Sequence, residues 1–564
     1  MEQFQRFILL AALGLVLMMI WQSWVQFKQQ RDPTYVSAQS NGDSANSEVP
    51  SATNLSQDVP DAPEVSSGET AQPAAVEESV TGVSDDKLIS VKTDLFNIQI
   101  DANGGDIVRV ELIKHPVSIE TPDEPFVLMS RNNVDLFVAQ GGLIGNDREY
   151  PNHNTAFSFE SNTYDLSDRQ SLEVPLTWTS PDGITYRKVF KFGRDTYRID
   201  IDYEVNNASG NEWTGFVYGQ LKQTERETPG SQGFLGRLPS YNGAAIYTAE
   251  ENYDKVDYGE ISDGPLSLTT TDGWVAMLQH YFVAAYLPSG SSQYNIYTGI
   301  TRNTPKPQYR VGYKSVEPVT VAAGQTGNLS TALFIGPKEQ VRLAEQNAEG
   351  LDLTVDYGWL TPVANPLFWL LDKIQGVVQN WGWSIILLTV LVKLIFLPLS
   401  AASYKSMAKM KKLQPRLQTL KERYGSDKQK FQQEMMKLYK TEKVNPAGGC
   451  LPILVQIPVF IALYWVLLES VELRQASWMF WLKDLSLPDP YFVLPIIMGV
   501  SMLAQQYLNP APMDPLQKKI MTAMPIVFTV FFLWFPAGLV LYWVVNNLLA
   551  IAQQYYITKK YQDA

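Results

Sequence analysis

The chain has 564 residues, 45% hydrophobic and 12% aromatic, with 45 Lys+Arg against 58 Asp+Glu for a net charge of −13. That length exceeds one ordinary domain, the acidic total excludes a basic nucleic-acid binder as a whole-chain reading, and a lone cysteine, Cys450, excludes a disulfide scaffold. The averages hide a division: residues 26–360 hold 24 Lys+Arg and 46 Asp+Glu, and the rest of the chain holds 21 and 12.

Residues 7–25 read FILLAALGLVLMMIWQSWV, nineteen residues without a charge. About 20 apolar residues cross roughly 30 Å of hydrocarbon. A cleaved signal would show a small-residue site after the run; here it ends in Trp21, Trp24 and Phe27, which predicts an uncleaved anchor over residues 1–27. Residues 28–86, rich in Ser, Asn, Asp, Glu, Pro and Ala beyond position 39, cannot bury enough apolar surface to offset ordering entropy and read as a disordered tether. From Lys87 the pattern alternates with period two, as in 96–100 (FNIQI), 107–112 (IVRVEL) and 197–203 (YRIDIDY), with turn signals at Asn103-Gly104-Gly105, Pro181-Asp182-Gly183 and Asn242-Gly243. These predict a large β-sandwich over residues 87–349, with helical character near its end. His115, His153 and His280 all fall here without metal-ligand spacing and read as structural.

Apolar density returns at about 381–399, 451–468, 491–508, 520–535 and 539–557, which with the anchor makes six spans. The loop 400–444 carries twelve Lys+Arg against four Asp+Glu, and Lys518, Lys519, Lys559 and Lys560 lie on the same side. The positive-inside rule therefore puts both termini and this loop in the cytoplasm and the acidic region outside. Between the regions, residues 350–380 form a linker; after Pro366, Leu367, Leu370, Leu371, Ile374, Val377 and Val378 predict an amphipathic helix in the outer interface.

Lys393 interrupts the second span, and no Asp or Glu lies within any of the six. A Lys at mid-membrane costs about 2.5–3.5 kcal/mol, which makes function the default reading; the alternative is a side chain snorkelling to the cytoplasmic interface. Thr389, one turn earlier, Gln456 in the third span, and Tyr542 and Asn546 in the last are the polar neighbours expected around it. A cation among neutral groups implies a hydrated cavity that attracts negative charge. The loop 400–447 reads as two helices joined near Gly425, with Ser426-Asp427-Lys428-Gln429 as a capping box. Met410, Leu413, Leu417, Leu420 and Tyr424, then Phe431, Met435 and Leu438, form its seam. It is either a solvated hairpin closed on itself or, through Met407, Met410, Met435 and Met436 beside Lys411 and Lys412, a flexible surface for varied partners.

The segments LTVDYGWL (353–360), SMAKM (406–410), EKVNP (442–446), GGC (448–450), VELRQ (471–475) and FFLWFP (531–536) resemble the YidC family of membrane-protein insertases, in its Gram-negative form. The resemblance implies a polytopic α-helical membrane protein: six transmembrane helices with a five-helix insertase core, a large all-β periplasmic domain (a β-supersandwich) and a cytoplasmic helical hairpin. It implies residence in the bacterial inner membrane and a hydrophilic groove that receives nascent membrane proteins, alone or with the Sec translocon, and opens to membrane lipids. It implies no enzyme activity, no nucleotide, metal or other cofactor, and no specific nucleic-acid sequence as partner. Two positions depart from the family pattern: the groove cation, usually Arg, is Lys393, and an aromatic position, usually Tyr, is Trp543 beside Tyr542. A ribosome contact is implied too, although the tail 557–564, with Lys559 and Lys560, supplies little charge for it. The competing readings are an ion-coupled transporter using Lys393, against which stand the absence of an evident inverted repeat and of intramembrane carboxylates, and a sugar- or peptide-binding activity in the exported domain.

Overall fold

The computed structural model describes residues 58–63, 87–132, 135–226, 241–289, 293–424, 427–442, 444, 451–509 and 515–562. The expected N-terminal anchor, most of the tether and the 445–450 motif residues lie outside these.

Among the described residues the β region forms two sheets, of eleven and nine strands. The first runs Ser267–Thr270, Tyr294–Thr301, Gln308–Ser315, Trp213–Thr224, Phe137–Ile144, Thr121–Ser130, Asp106–Ser118, Phe96–Asp101, Leu88–Lys92, Thr163–Asp165 in spatial order, with Val319–Val321 also on Trp213–Thr224. The second runs Asn252–Val256, Gly243–Thr248, Gly273–Leu278, Phe282–Pro288, Thr326–Pro337, Arg198–Asn206, Thr185–Gly193, Ser171–Thr179, Ser158–Phe159. Alternation appears where the sequence predicted it: Ile199, Ile201, Tyr203 and Val205 are buried, and Arg198, Asp200, Asp202 and Glu204 face outward. Strands such as Phe137–Ile144 and Gly243–Thr248 are buried throughout. Trp213, Trp274, Tyr218, Tyr313, Phe96 and Phe190 are the large side chains of the interior.

Two of the three turn signals close hairpins through left-handed glycines, Gly183 at φ +87° and Gly104 at φ +85°. A Cβ at Gly104 would also collide with the His153 carbonyl. Asn242-Gly243 is different, because Gly243 opens a strand. Lys188, 2% exposed, braces the Gly104 turn from inside by donating to the carbonyls of Gly104 (3.2 Å), Gly105 (2.8 Å) and Gly141 (2.8 Å).

Helices follow the sheets: α1 (Tyr258–Asp263) and α2 (Gln340–Ala344) within the β region, then α3 (Thr361–Val378), α4 (Trp381–Ile395), α5 (Leu397–Tyr424), α6 (Lys428–Thr441), α7 (Leu451–Glu469), α8 (Val493–Leu508), α9 (Pro515–Phe531) and α10 (Ala537–Gln562). Helix α10 packs on α4, α5 and α8, α3 packs on α4 and α7, and α8 packs on α9. Helix α3 starts at Thr361 and carries Pro366 inside it; its buried face is Ala364, Phe368 and Leu371, and Val377, expected on that face, is 84% exposed. At 100° per residue Val377 falls away from that stripe.

No single described helix is long and apolar enough alone to cross a bilayer; α4 and α5 pass together but are bent by 67° at their break. The expected span 381–399 is therefore interrupted at Phe396. Pro398 has no N–H to continue the α4 ladder.

The β domain and helices meet at a polar junction. Arg474 donates to the Pro116 carbonyl at 2.7 Å and lies over the rings of Phe126 and Phe282, and Gln475 donates to the same carbonyl at 2.8 Å. Lys338, 4% exposed, lies 3.7 Å from Glu469 and donates to the Thr354 carbonyl at 3.2 Å. Burial raises the nearby Glu472 carboxyl from 4.5 to about 8, and the charges of Glu339 and Asp372 push the same way. An acid raised on folding contributes stability that is complete below about 4.5 and lost as pH rises through about 8. The full chain in detergent should accordingly lose melting temperature between about pH 4.5 and pH 8, and Glu472→Gln should flatten that slope; an equal slope in both proteins would contradict the assignment.

Candidate functional site

Helix α4 begins on Asn380, whose side chain accepts from the Trp383 amide, and continues as an almost wholly apolar helix. Within it Lys393 is 4% exposed and Thr389, one turn earlier on the same face, is 1% exposed. The Thr389 hydroxyl is committed to its own helix, donating to the Ile385 carbonyl at 2.6 Å. Among the described residues nothing forms a hydrogen bond or ion pair with Lys393. Leu394 and Ile395 face outward, 55% and 63% exposed, so the cation is on the bundle side and the large apolar groups are on the outer side.

The other expected groove residues lie on α7 and α10. Gln456 is half-buried on α7. Tyr542 is 5% exposed, and its ring lies parallel to that of Phe460 from α7, with centroids 6.1 Å apart. Trp543 meets Phe460 edge-on at 4.9 Å and Phe532 at 5.8 Å, and its indole N–H has no partner among the described residues. The two aromatic residues therefore form a ring contact between α7 and α10. Asn546 is half-buried. Among the described residues no hydrogen bond joins Gln456, Tyr542 or Asn546 to Lys393, so the expected cluster is spread over three helices and is not a bonded network there.

Sequence reasoning missed several buried polar groups on the same helices. Asn547, 3% exposed, donates to Ser501 Oγ of α8 at 3.1 Å, and Gln554, 1% exposed, donates to Asn509 at 2.9 Å. Ser400 and Ser403 on α5 are 1% and 3% exposed. Seven-residue spacing of Asn547 and Gln554, and three-residue spacing of Ser400 and Ser403, are the signals that one polar stripe per helix would have given. All of these groups are neutral. Among the described residues no side-chain carboxylate is paired with Lys393.

The hairpin α5–α6 closes on itself through Leu413, Leu417, Met435, Tyr439 and Val444, with Met410, Phe431 and Leu438 against them. Its second helix is capped by Asp427, which accepts from the Lys430 amide at 3.0 Å; Ser426, the expected cap, lies outside the described residues. Met435 is 0% exposed, and Met410 packs beside it, so both hold the hairpin together. Met436 is 44% exposed and Met407 half-buried, with Lys411 half-buried and Lys412 exposed. The methionine surface left open on the hairpin is thus narrower than four methionines suggested, because a seam at heptad-like spacing buries every residue in phase with it.

Comparison with known proteins brings two family models to this chain: "60Kd inner membrane protein" over residues 373–564 and "YidC periplasmic domain" over residues 88–370. A membrane protein insertase YidC of Nitrosococcus oceani is 48% identical over 570 residues, covering 99% of both chains. One from Stutzerimonas stutzeri is 46% identical over 558 residues, covering 99% of this chain and 98% of its own. A solved structure described as an active YidC insertase with its first transmembrane domain resolved aligns over 84% of this chain and 93% of that one, at 20% identity and a TM-score of 0.37.

Proposed function

The chain belongs to the YidC family of membrane protein insertases, and on that premise we propose that it moves nascent segments into the bacterial inner membrane through a hydrophilic groove, without enzymatic chemistry. The observation that carries the groove reading is Lys393: a cation 4% exposed in an apolar helix, with no paired carboxylate among the described residues. An unpaired buried cation is costly in hydrocarbon, and a passing acidic or polar flank offsets that cost. Thr389, Gln456, Tyr542, Trp543 and Asn546, with Asn547, Ser501 and Gln554, supply the polarity that keeps water in reach of it.

In this reading the large β domain is periplasmic, both termini and the hairpin are cytoplasmic, and six spans cross the bilayer, the second of them bent at Phe396. Met407, Met436, Lys411 and Lys412 meet the emerging segment, Met410 and Met435 keep the hairpin rigid, and the hairpin's positive charge faces the ribosome and anionic lipid headgroups. The segment then partitions sideways into lipid. Burial of its apolar residues drives the step, and the membrane potential adds about 2.3 kcal/mol per elementary charge per 100 mV. In this reading the chain works alone or beside the Sec translocon.

Reconstitution tests the reading. Purified full chain in liposomes should convert a translated single-span protein into a protease-protected, membrane-integrated form, while empty liposomes of the same lipids should not. Equal integration in both would overturn it.

A further inference from the structure

Six residues of the segment expected to be a disordered tether, 58–63 (DVPDAP), are seated on the larger sheet. The Asp58 carboxylate lies 2.7 Å from Lys222 Nζ, 3.2 Å from Arg310 Nη1 and 3.6 Å from His153 Nε2. Three carbonyls are also read: Gln220 Nε2 donates to that of Asp58 at 3.2 Å, Lys314 Nζ to that of Asp61 at 2.6 Å, and Asn146 Nδ2 to that of Pro63 at 3.2 Å. Between these polar contacts Val59 and Ala62 pack on Ile144, Phe216 and Tyr218.

The receptor side is built rather than incidental. Gln220, 0% exposed, is held by Tyr297 and Gln140, and Gln140 in turn donates to Asp106 at 2.8 Å, so the amide aimed at the segment is fixed from below. His153, 6% exposed, is fixed by its Nδ1 contact with Tyr218 Oη at 2.6 Å, and its Nε2 is a buried nitrogen without a hydrogen bond, turned toward Asp58. The ligand side has matching chemistry. Pro60 and Pro63 carry no N–H, and a three-residue spacing of Val59 and Ala62 puts both on one face of a polyproline-type segment. Every donor comes from the β domain and every acceptor from the segment. Burial alone would raise the Asp58 carboxyl, yet His153 and Lys222 hold it below the ordinary carboxylate range.

We propose that this face of the β domain is a binding site for an acidic, proline-punctuated extended segment, and that its resident ligand is the chain's own residues 58–63. Docking pins the 28–86 stretch to the domain partway along its length. Without Asp58, Lys222 and Arg310 would be left as two uncompensated cations on one spot of the sheet. The inference is independent of the insertase reading.

The test uses the full chain with Cys450→Ser and one new thiol, Ala62→Cys, and follows its rate of maleimide labelling in detergent. Docking should make labelling about tenfold slower than in the same protein carrying Asp58→Lys, the change expected for about 1.4 kcal/mol of docking energy. Asp58→Glu should restore slow labelling. Val59→Cys is a second reporter and guards against a folding defect peculiar to position 62. Fast labelling at both positions in the unmodified background, or slow labelling indifferent to Asp58→Lys, overturns the proposal.

Discussion

Replacing Lys188 with Met is expected to destabilise the β domain by about 3–5 kcal/mol, the cost of leaving three buried carbonyls unpaired less the relief of the lysine's own desolvation. The methionine keeps most of the stem, which passes the rings of Phe190 and Tyr203 with the ammonium 5.3 and 5.6 Å from their centroids. What it loses is the donor that satisfies three carbonyls, Gly104, Gly105 and Gly141, in a place closed to water. A buried carbonyl left unpaired costs about 1–3 kcal/mol, and relief of the lysine's own desolvation offsets part of the sum. Burial already pulls this ammonium down to about 8, against the opposing pull of Asp106. Lys188→Arg should not rescue, because a planar fork does not match three converging carbonyls. Urea unfolding of the full chain in detergent, followed by tryptophan emission, measures the effect. A Met variant within about 0.5 kcal/mol of the parent, the range of an ordinary surface substitution, would show that the Gly104 turn does not depend on this cation.

Local periodicity made part of the structure legible. Alternation in residues 197–203 marked a half-buried strand, and the 3-4 spacing of Met410, Leu413, Leu417, Phe431, Met435 and Leu438 marked a hairpin that closes on that seam. Lys393 was legible because a single charge in an apolar run stands out whatever the fold around it. Contacts between distant segments were not legible. Asp58 meets Lys222 and Arg310 across 164 and 252 residues, and composition alone read its surroundings as a tether. A pattern of faces says which side is buried but not by what. Met435 and Met436 are adjacent in sequence, yet one is 0% exposed and the other 44%, a difference set by helix phase. The bend between α4 and α5 follows from Pro398, but the apolar run continues through it and masked the break. Asn547 and Gln554 were overlooked because nothing in an apolar helical run says which of its polar residues meets a neighbouring helix.

The central claim, that one cation in the helical core does the attracting, is tested most directly at Lys393. Liposomes containing the parent, Lys393→Arg, Lys393→Ala or Lys393→Glu, each shown to fold, would be supplied with a translated single-span protein bearing an acidic outer tail. Arg keeps the charge and is expected to support insertion near the parent rate. Ala removes an attraction to a passing carboxylate of about 1–2 kcal/mol, so its initial rate should fall by roughly five- to thirtyfold. Glu turns the attraction into repulsion and places a second negative charge in the polar interior, so insertion should fall below detection. A substrate with a neutral tail should narrow all these differences. Equal insertion by the four proteins would contradict the account, and would assign the function to the neutral polar stripe or the hairpin instead of the cation.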